Sequence, residues 1–202
     1  MEIDEIASLR SEFKKTIAFP PHEVIPKRQF FLCPVGLVGA GKSTVVRPLS
    51  ERLSLVRISS DELRRMLKEK GLGYESVPEI IAPLAAGIAG QGYSMAFDAD
   101  CGNPKTKELI MKLAEKTGAE ALWIHIDPPE EFIIGKLMSH KHTWLFKNGK
   151  EAVANYFEQK KRRQDENTQF NFFSRIDTSK DVPNQIDALE KAIRAAMNER
   201  DR

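Results

Sequence analysis

The sequence is poor in cysteine, in net charge and in long apolar runs. Its 202 residues include two cysteines, Cys33 and Cys101, which fit neither a disulfide framework nor a metal-ligand spacing, so we expect a reducing, cytoplasmic compartment. The longest weakly polar run, 80–90, is too short to cross a bilayer, and the amino terminus has no secretory signal pattern. We therefore expect no membrane association.

The near balance of charge excludes a protein that binds nucleic acid through overall basicity. Lys and Arg total 31 against 29 Asp and Glu, a net charge of +2, so any basic surface has to be local. Apolar residues make up 41% of the chain and charged residues 30%. These fractions are typical of a globular protein with a sizeable core, and they exclude disorder and collagen-like repeats.

Apolar strands and helical patterns alternate along most of the chain. Residues 3–18 repeat apolar side chains at helical spacing, and we assign 1–27 to an amphipathic helix and a linker. Predicted strands follow near 30–35, 55–58, 93–97, 121–126 and 172–176, with helical patterns between them. The alternation predicts an α/β domain over 28–202, with a five-stranded parallel sheet and helices on both faces.

A complete phosphate-binding motif follows the first predicted strand. Gly36-x-x-x-x-Gly41-Lys42-Ser43 lies between an apolar strand and a helical pattern, which is the context that this motif requires. Glycines let the backbone turn and point N–H groups at phosphate oxygens, beside the positive end of a helix. We expect Lys42 to bridge the β- and γ-phosphates and Ser43 to bind Mg²⁺. The predicted nucleotide-binding residues are Gly36, Leu37, Val38, Gly39, Ala40, Gly41, Lys42, Ser43 and Thr44.

Signatures of other phosphate-loop proteins are missing from the sequence. There is no [NT]-K-x-D motif and no D-x-x-G after the third strand, as a GTPase would have, and no L-S-G-G-Q motif of a transporter ATPase. The chain is also too short for a ring ATPase with its own helical lid domain. These exclusions favour a small phosphotransferase.

The phosphate loop and the segment after the second strand together resemble a known group of enzymes. Gly36 to Thr44, followed by Leu55-Val56-Arg57-Ile58-Ser59-Ser60-Asp61-Glu62-Leu63-Arg64, resembles the P-loop kinases of the polynucleotide 5′-hydroxyl kinase and zeta-toxin type, over about 30–195. In those families the D-x-x-R pair serves the acceptor hydroxyl. The resemblance implies that Asp61 is the catalytic base and that Arg64 holds the acceptor. It also implies a three-layer P-loop NTPase fold with strand order 2-3-1-4-5 and a helical lid at about 128–170.

Asp61 suits catalysis on its position alone. It follows the carboxyl end of a predicted parallel strand, where open α/β sheets build their sites, and a carboxylate there can accept the proton of an attacking hydroxyl. The structural alternative is a helix start, because Ser59-x-x-Glu62 is a capping-box pattern. The two roles are compatible, so both stay open.

The third predicted strand and the lid supply the remaining candidates. Asp98 ends that strand, and we expect it to support Mg²⁺ together with Ser43, with Asp100 as the alternative candidate.

Positive charge in the lid would stabilise the transferring phosphoryl group. The lid cations are Lys136, Lys141, Lys160, Arg162 and Arg163, of which we assign Arg162 and Arg163 to the nucleotide. Basic and aromatic residues alternate over 140–147, which suits an oligonucleotide end or, more simply, a lid with a hydrophobic anchor.

The sequence thus predicts an enzyme that moves the γ-phosphoryl group of ATP, with Mg²⁺, to a hydroxyl acceptor. That acceptor is a polynucleotide 5′-hydroxyl or a small metabolite. The alternative is a nucleotide-binding switch or adaptor that hydrolyses ATP slowly and binds a protein partner. The acceptor, the oligomeric state and the choice between ATP and GTP stay open at this point.

Overall fold

One parallel sheet organises the chain. The computed structural model describes residues 3–21, 28–139, 145–166 and 169–198. Five strands pair in parallel in the order β2-β3-β1-β4-β5, which confirms the predicted sheet and its order. The strands are β1 (Phe30–Val35), β2 (Val56–Ser59), β3 (Met95–Asp98), β4 (Glu120–Ile126) and β5 (Ser174–Ile176).

Helices connect the strands and flank the sheet. They are α1 (Ile3–Lys15), α2 (Lys42–Arg52), α3 (Ser60–Glu69), α4 (Val77–Gly90), α5 (Pro104–Thr117), α6 (Glu130–Ser139), α7 (Gly149–Glu166) and α8 (Val182–Asn198). Local signals explain several boundaries. The side chain of Asn103 accepts hydrogen bonds from the N–H groups of Lys105 and Thr106 at the start of α5, and Gly118 ends that helix at φ 72°.

Three of the strands, β2, β3 and β5, begin slightly later than predicted. Before β2, the N–H of Leu55 donates to the carbonyl of Ser50 at the end of α2, over 2.8 Å. Before β3, the hydroxyl of Ser94 accepts the N–H of Phe30, over 3.0 Å. Apolar periodicity does not show such hydrogen bonds, so it extends the strands by a residue or two.

The central strand β1 is buried on both faces, as a strand in the middle layer must be. Phe31, Cys33 and Val35 pack with α1, α3, α4 and α5, whereas Phe30 and Leu32 pack with α2, α6, α7 and α8. This alternation gives the three-layer arrangement. Polar side chains collect instead at the carboxyl ends of the strands, along one edge of the sheet. Within the described ranges, no helix is long and apolar enough to cross a membrane.

Helix α1 packs into one of the two hydrophobic clusters that flank the sheet. Leu9 and Phe13 are buried in the cluster that contains α4. Residues 22–27 of the predicted linker lie outside the described residues, and the division at 27/28 stays a prediction.

Truncating Phe13 should therefore destabilise the whole domain and not α1 alone. Phe13 is 1% exposed, and we expect Phe13→Ala to lower the free energy of unfolding by about 3–5 kcal/mol. The half-exposed Phe157 is the matched control, because Phe157→Ala should cost under about 1 kcal/mol. Urea unfolding followed by circular dichroism measures both variants. A loss under about 1 kcal/mol at Phe13 would show that α1 is an independent arm.

Candidate active site

The phosphate loop joins β1 to α2 at the carboxyl edge of the sheet. Gly39 and Gly41 adopt left-handed backbone conformations, at φ 80° and 94°, which L side chains rarely adopt. Gly41 is the N-cap of α2 and provides no side-chain cap, so the first turn of the helix presents its N–H groups to the loop. The Nζ of Lys42 donates to the carbonyls of Gly36 at 2.9 Å and Leu37 at 3.0 Å. The predicted motif thus folds as a phosphate cradle.

Two elements hold this loop from outside. A Cβ at Gly39 would lie 2.9 Å from Leu137 on α6, which leaves no room for a side chain. On the other side, the hydroxyl of Thr178, after β5, donates to the carbonyl of Ala40 over 2.6 Å. The shape of the cradle is therefore set by tertiary packing as well as by its own glycines.

The structure brings the two predicted metal-supporting residues together. The hydroxyl of Ser43 donates to Oδ1 of Asp98 over 2.8 Å, although the two residues are 55 positions apart. The Asp98 side chain is only 2% exposed. A hydroxyl that donates its hydrogen to this carboxylate keeps its lone pairs for a cation, which is the chemistry that Mg²⁺ requires.

Asp100, the alternative candidate for supporting Mg²⁺, instead holds the phosphate loop in position. Its Oδ1 accepts the N–H groups of Gly36 at 3.3 Å and Gly102 at 3.1 Å, and its Oδ2 pairs with Arg163 of α7. Asp100 therefore links the start of the phosphate loop to α7.

Arg57 lies in the stretch that resembles the kinases, and the structure makes it part of the site although no role was predicted for it. Its Nε donates to Oδ2 of Asp98 at 2.9 Å, and its Nη2 forms an ion pair with the same oxygen at 2.8 Å. Nη2 donates to Glu62 at 2.7 Å. Burial opposes the charge of Arg57, yet the bond to Glu62 and the nearby Asp98 outweigh it and raise the pKa of the guanidinium. The sequence signal that was overlooked is a cation near the carboxyl end of a short apolar strand.

The D-x-x-R pair forms an ion pair on α3. Nη1 of Arg64 donates to Oδ1 of Asp61 over 2.8 Å, and the Asp61 side chain is 50% exposed. The hydroxyl of Ser59 accepts the N–H of Glu62, so the structural helix start is also present. An exposed pair of this kind is weak, so an acceptor molecule can displace Arg64 from Asp61 at little cost.

Helix α7 reaches the phosphate loop through two side chains one turn apart. Arg163 pairs with Asp100, and Oε1 of Gln159 accepts the N–H of Val38 over 3.3 Å. Asn155 orients Gln159 by accepting its Nε2–H at 2.8 Å. Sequence reasoning missed Gln159, because a neutral amide on a charged helix has no distinguishing pattern.

The other cations of the predicted lid differ in their contacts and in their exposure. Lys160 pairs with Glu130, and Arg162 is exposed. Burial and the nearby charge of Lys42 lower the pKa of Lys136. Lys141 and most of the predicted basic and aromatic loop, including His140, His142 and Trp144, lie outside the described residues. The assignment of Arg162 and Arg163 to the nucleotide stays a prediction.

The described residues include no group of three or more His, Cys, Asp or Glu that could hold a metal ion. A cation at Ser43 and Asp98 would therefore take its remaining ligands from water and phosphate. Mg²⁺ typically binds in this way, through one or two protein groups and the substrate phosphates. The residues present fit a Mg²⁺–nucleotide complex.

The phosphate loop at the end of the central strand, with strand order 2-3-1-4-5, defines a P-loop NTPase fold. A family described as an AAA domain matches residues 32–166, about two thirds of the chain. The chain belongs to this family. A comparison with curated proteins finds no match.

Solved structures share the fold at low sequence identity. The Mycobacterium tuberculosis APS kinase CysC, in complex with AMPPNP and APS, is 17% identical with a TM-score of 0.50, over 84% of this chain and 99% of that one. A sugar kinase from Janibacter sp. is 15% identical with a TM-score of 0.55, over 84% and 96%. A proposed kinase from Chloroflexus aurantiacus is 13% identical with a TM-score of 0.59, over 82% and 99%. At these identities the likeness shows the fold. The finer resemblance to polynucleotide 5′-hydroxyl kinases and zeta toxins stays a prediction.

Proposed function

We propose that the protein transfers the γ-phosphoryl group of ATP to a hydroxyl acceptor. The observation that carries this proposal is the position of Asp98 next to the start of α3. Ser59, the cap of α3, is the strand partner of Asp98 across β2 and β3. Asp61 follows two residues later, so the catalytic base and the metal-supporting carboxylate occupy the same edge of the sheet.

On the donor side, the cradle and its cations hold the triphosphate. When ATP binds, we expect Lys42 to exchange the carbonyls of Gly36 and Leu37 for β- and γ-phosphate oxygens. Lys136 and Arg163 supply further positive charge from the lid helices, where it would stabilise charge on the equatorial oxygens. Ser43 and Asp98 would hold Mg²⁺, which neutralises phosphate charge when bound.

On the acceptor side, Asp61 accepts the proton of the hydroxyl as its oxygen attacks. The new oxygen–phosphorus bond forms while the bond between the γ-phosphorus and ADP breaks, and the proton passes from Asp61 to solvent. Arg64, which contacts Asp61, would hold the acceptor. The half-exposed position of the pair admits a molecule from solvent.

The solved neighbours support phosphoryl transfer, since they include an APS kinase in complex with AMPPNP and APS and a sugar kinase. They offer no support for a nucleic-acid acceptor. Both acceptor classes therefore belong in the test, with a small hydroxyl compound as the first expectation.

The proposal is tested by whether ADP formation depends on an added hydroxyl compound. Purified protein would receive Mg²⁺ with ATP or GTP, alone or with nucleosides, sugars, 5′-hydroxyl RNA or 5′-hydroxyl DNA. We expect at least one compound class to stimulate ADP formation. If no compound does so and the nucleotide instead controls capture of a protein partner, the protein is a switch or adaptor.

A further inference from the structure

One arginine joins the metal-supporting carboxylate to the helix that carries the proposed base. From the edge strand β2, Arg57 makes two contacts to Oδ2 of Asp98 and one to Oε1 of Glu62. Nη2 takes part in both ion pairs. Arg57 therefore connects the end of β3 to the first turn of α3 across the β2–α3 junction.

The contact with Asp98 determines the orientation of the metal-supporting carboxylate. A carboxylate that is 2% exposed needs an opposite charge or hydrogen bonds to offset its lost hydration. Ser43 binds Oδ1 and Arg57 binds Oδ2. Since both oxygens are engaged, Arg57 fixes the direction of the carboxylate and, through it, the direction of the Ser43 hydroxyl.

The contact with Glu62 determines the position of the helix start. Glu62 is 46% exposed and adjoins Asp61 in the first turn of α3. The hydrogen bond from Arg57 therefore helps to fix the first turn of α3 relative to the end of β3, in addition to the cap at Ser59. The contact is solvent-accessible, so its energy is modest and its effect is mainly on geometry.

Given the phosphoryl transfer proposed above, we propose that Arg57 is a positioning residue. It holds Asp98 and the first turn of α3 in the arrangement that Mg²⁺-dependent ATP binding and proton acceptance by Asp61 require. The planar guanidinium suits this task, because it presents several N–H groups in a rigid fork. The ammonium of lysine is a point charge and would satisfy one acid better than two.

Nucleotide affinity measured with and without Mg²⁺ separates positioning from simple stabilisation. The probe is a fluorescent N-methylanthraniloyl derivative of ATP, titrated in EDTA and then in Mg²⁺, and the readout is the gain in affinity from Mg²⁺. For Arg57→Met we expect that gain to fall about tenfold, the usual cost of losing a partner behind a metal-binding group. Affinity in EDTA should stay within about twofold of wild type, since the cradle is intact.

Arg47 on α2 provides the matched control. It also approaches Glu62, at 3.8 Å, but it is no part of the proposed machinery. Arg47→Met should keep the wild-type gain from Mg²⁺. Arg57→Lys should recover part of the gain that Arg57→Met loses, because one charged contact is restored.

Glu62→Gln tests the contact with α3 separately. This variant should keep the gain from Mg²⁺ but lower kcat for ADP formation, with water as acceptor, at an unchanged KM for ATP. If Glu62→Gln lost as much of the affinity gained from Mg²⁺ as it lost in kcat, the contacts of Arg57 with Asp98 and with Glu62 would not have separate effects.

A double variant covers the case in which Arg57→Met fails to fold around the buried Asp98 charge. Arg57→Met combined with Asp98→Asn removes that charge, and its Mg²⁺ gain should equal that of Asp98→Asn alone, because Arg57 acts through Asp98. A further loss in the double variant would overturn the proposal.

Two other results would also overturn it. One is a wild-type Mg²⁺ gain in Arg57→Met. The other is an equal loss of affinity with and without Mg²⁺, which a purely stabilising arginine predicts. If the wild-type protein binds no nucleotide under either condition, the phosphotransferase proposal itself fails and this inference falls with it.

Discussion

Replacing Asp61 with Asn should stop phosphoryl transfer while ATP still binds. Asn is nearly isosteric and its carbonyl can still accept the hydrogen bond from Arg64, so the surface of α3 should be preserved. It cannot accept the proton of the attacking hydroxyl. Loss of a general base typically costs about 10²- to 10⁴-fold in rate, and we expect a fall in that range. Single-turnover transfer and equilibrium ATP binding, measured on the same preparation, separate the two effects.

The control for this change lies on the same helix. Glu69, at the exposed end of α3, should tolerate Glu69→Gln with transfer unchanged. Full transfer activity in Asp61→Asn would remove Asp61 from the mechanism. It would leave the ion pair with Arg64 and the cap at Ser59 as purely structural features of the helix start.

Replacing Lys42 with Met should have a comparable effect on the donor side. The change keeps the length of the side chain but removes the charge that would meet the β- and γ-phosphates. We expect the transfer rate to fall about 10²- to 10³-fold, as when one stabilising donor is removed from a site where charge develops. Affinity for ATP should fall as well, which is not expected for Asp61→Asn.

An exposed lysine provides the comparison for Lys42. Lys112 on α5 pairs with Glu108 on the solvent side of its helix, and Lys112→Met should leave both binding and transfer unchanged. Thermal unfolding of the two variants checks that neither is misfolded. ATP affinity that survives in Lys42→Met would show that the loop does not use this residue for phosphate.

Much of the fold could be predicted because local patterns determine its elements. The alternation of Phe30, Phe31 and Leu32 between the two faces of the sheet follows from a strand that is buried on both sides. The cap at Asn103 and the turn at Gly118 bound α5 through interactions within a few residues. Strand starts were less accurate, because Leu55 and Ser94 bond to groups that the periodicity does not show.

The site was predictable where a motif ties chemistry to spacing. The phosphate loop and the Asp61–Arg64 pair are local, so the sequence shows them directly. The contact between Ser43 and Asp98 also follows, because both positions end or follow central strands whose carboxyl ends meet. Each of these residues belongs to a sequence pattern whose spacing is set by a chemical role.

The remaining contacts depend on where distant elements pack. Arg57 and Asp98 are 41 residues apart, and Val38 and Gln159 are 121 apart. Their meeting follows from sheet register and from the docking of α7, neither of which leaves a local sequence signal. Asp100 shows the same limit, because its role as a brace for Gly36 becomes visible only once the loop is folded.

Following the label of ATP tests the central claim most directly. The protein would be incubated with Mg²⁺ and ATP labelled either at the γ-phosphate or at the α-phosphate, together with the nucleosides, sugars and 5′-hydroxyl oligonucleotides described above. We predict that label from the γ-position appears on a hydroxyl acceptor and that label from the α-position does not. Recovery of the γ-label only as inorganic phosphate across every acceptor class would contradict phosphoryl transfer to a hydroxyl.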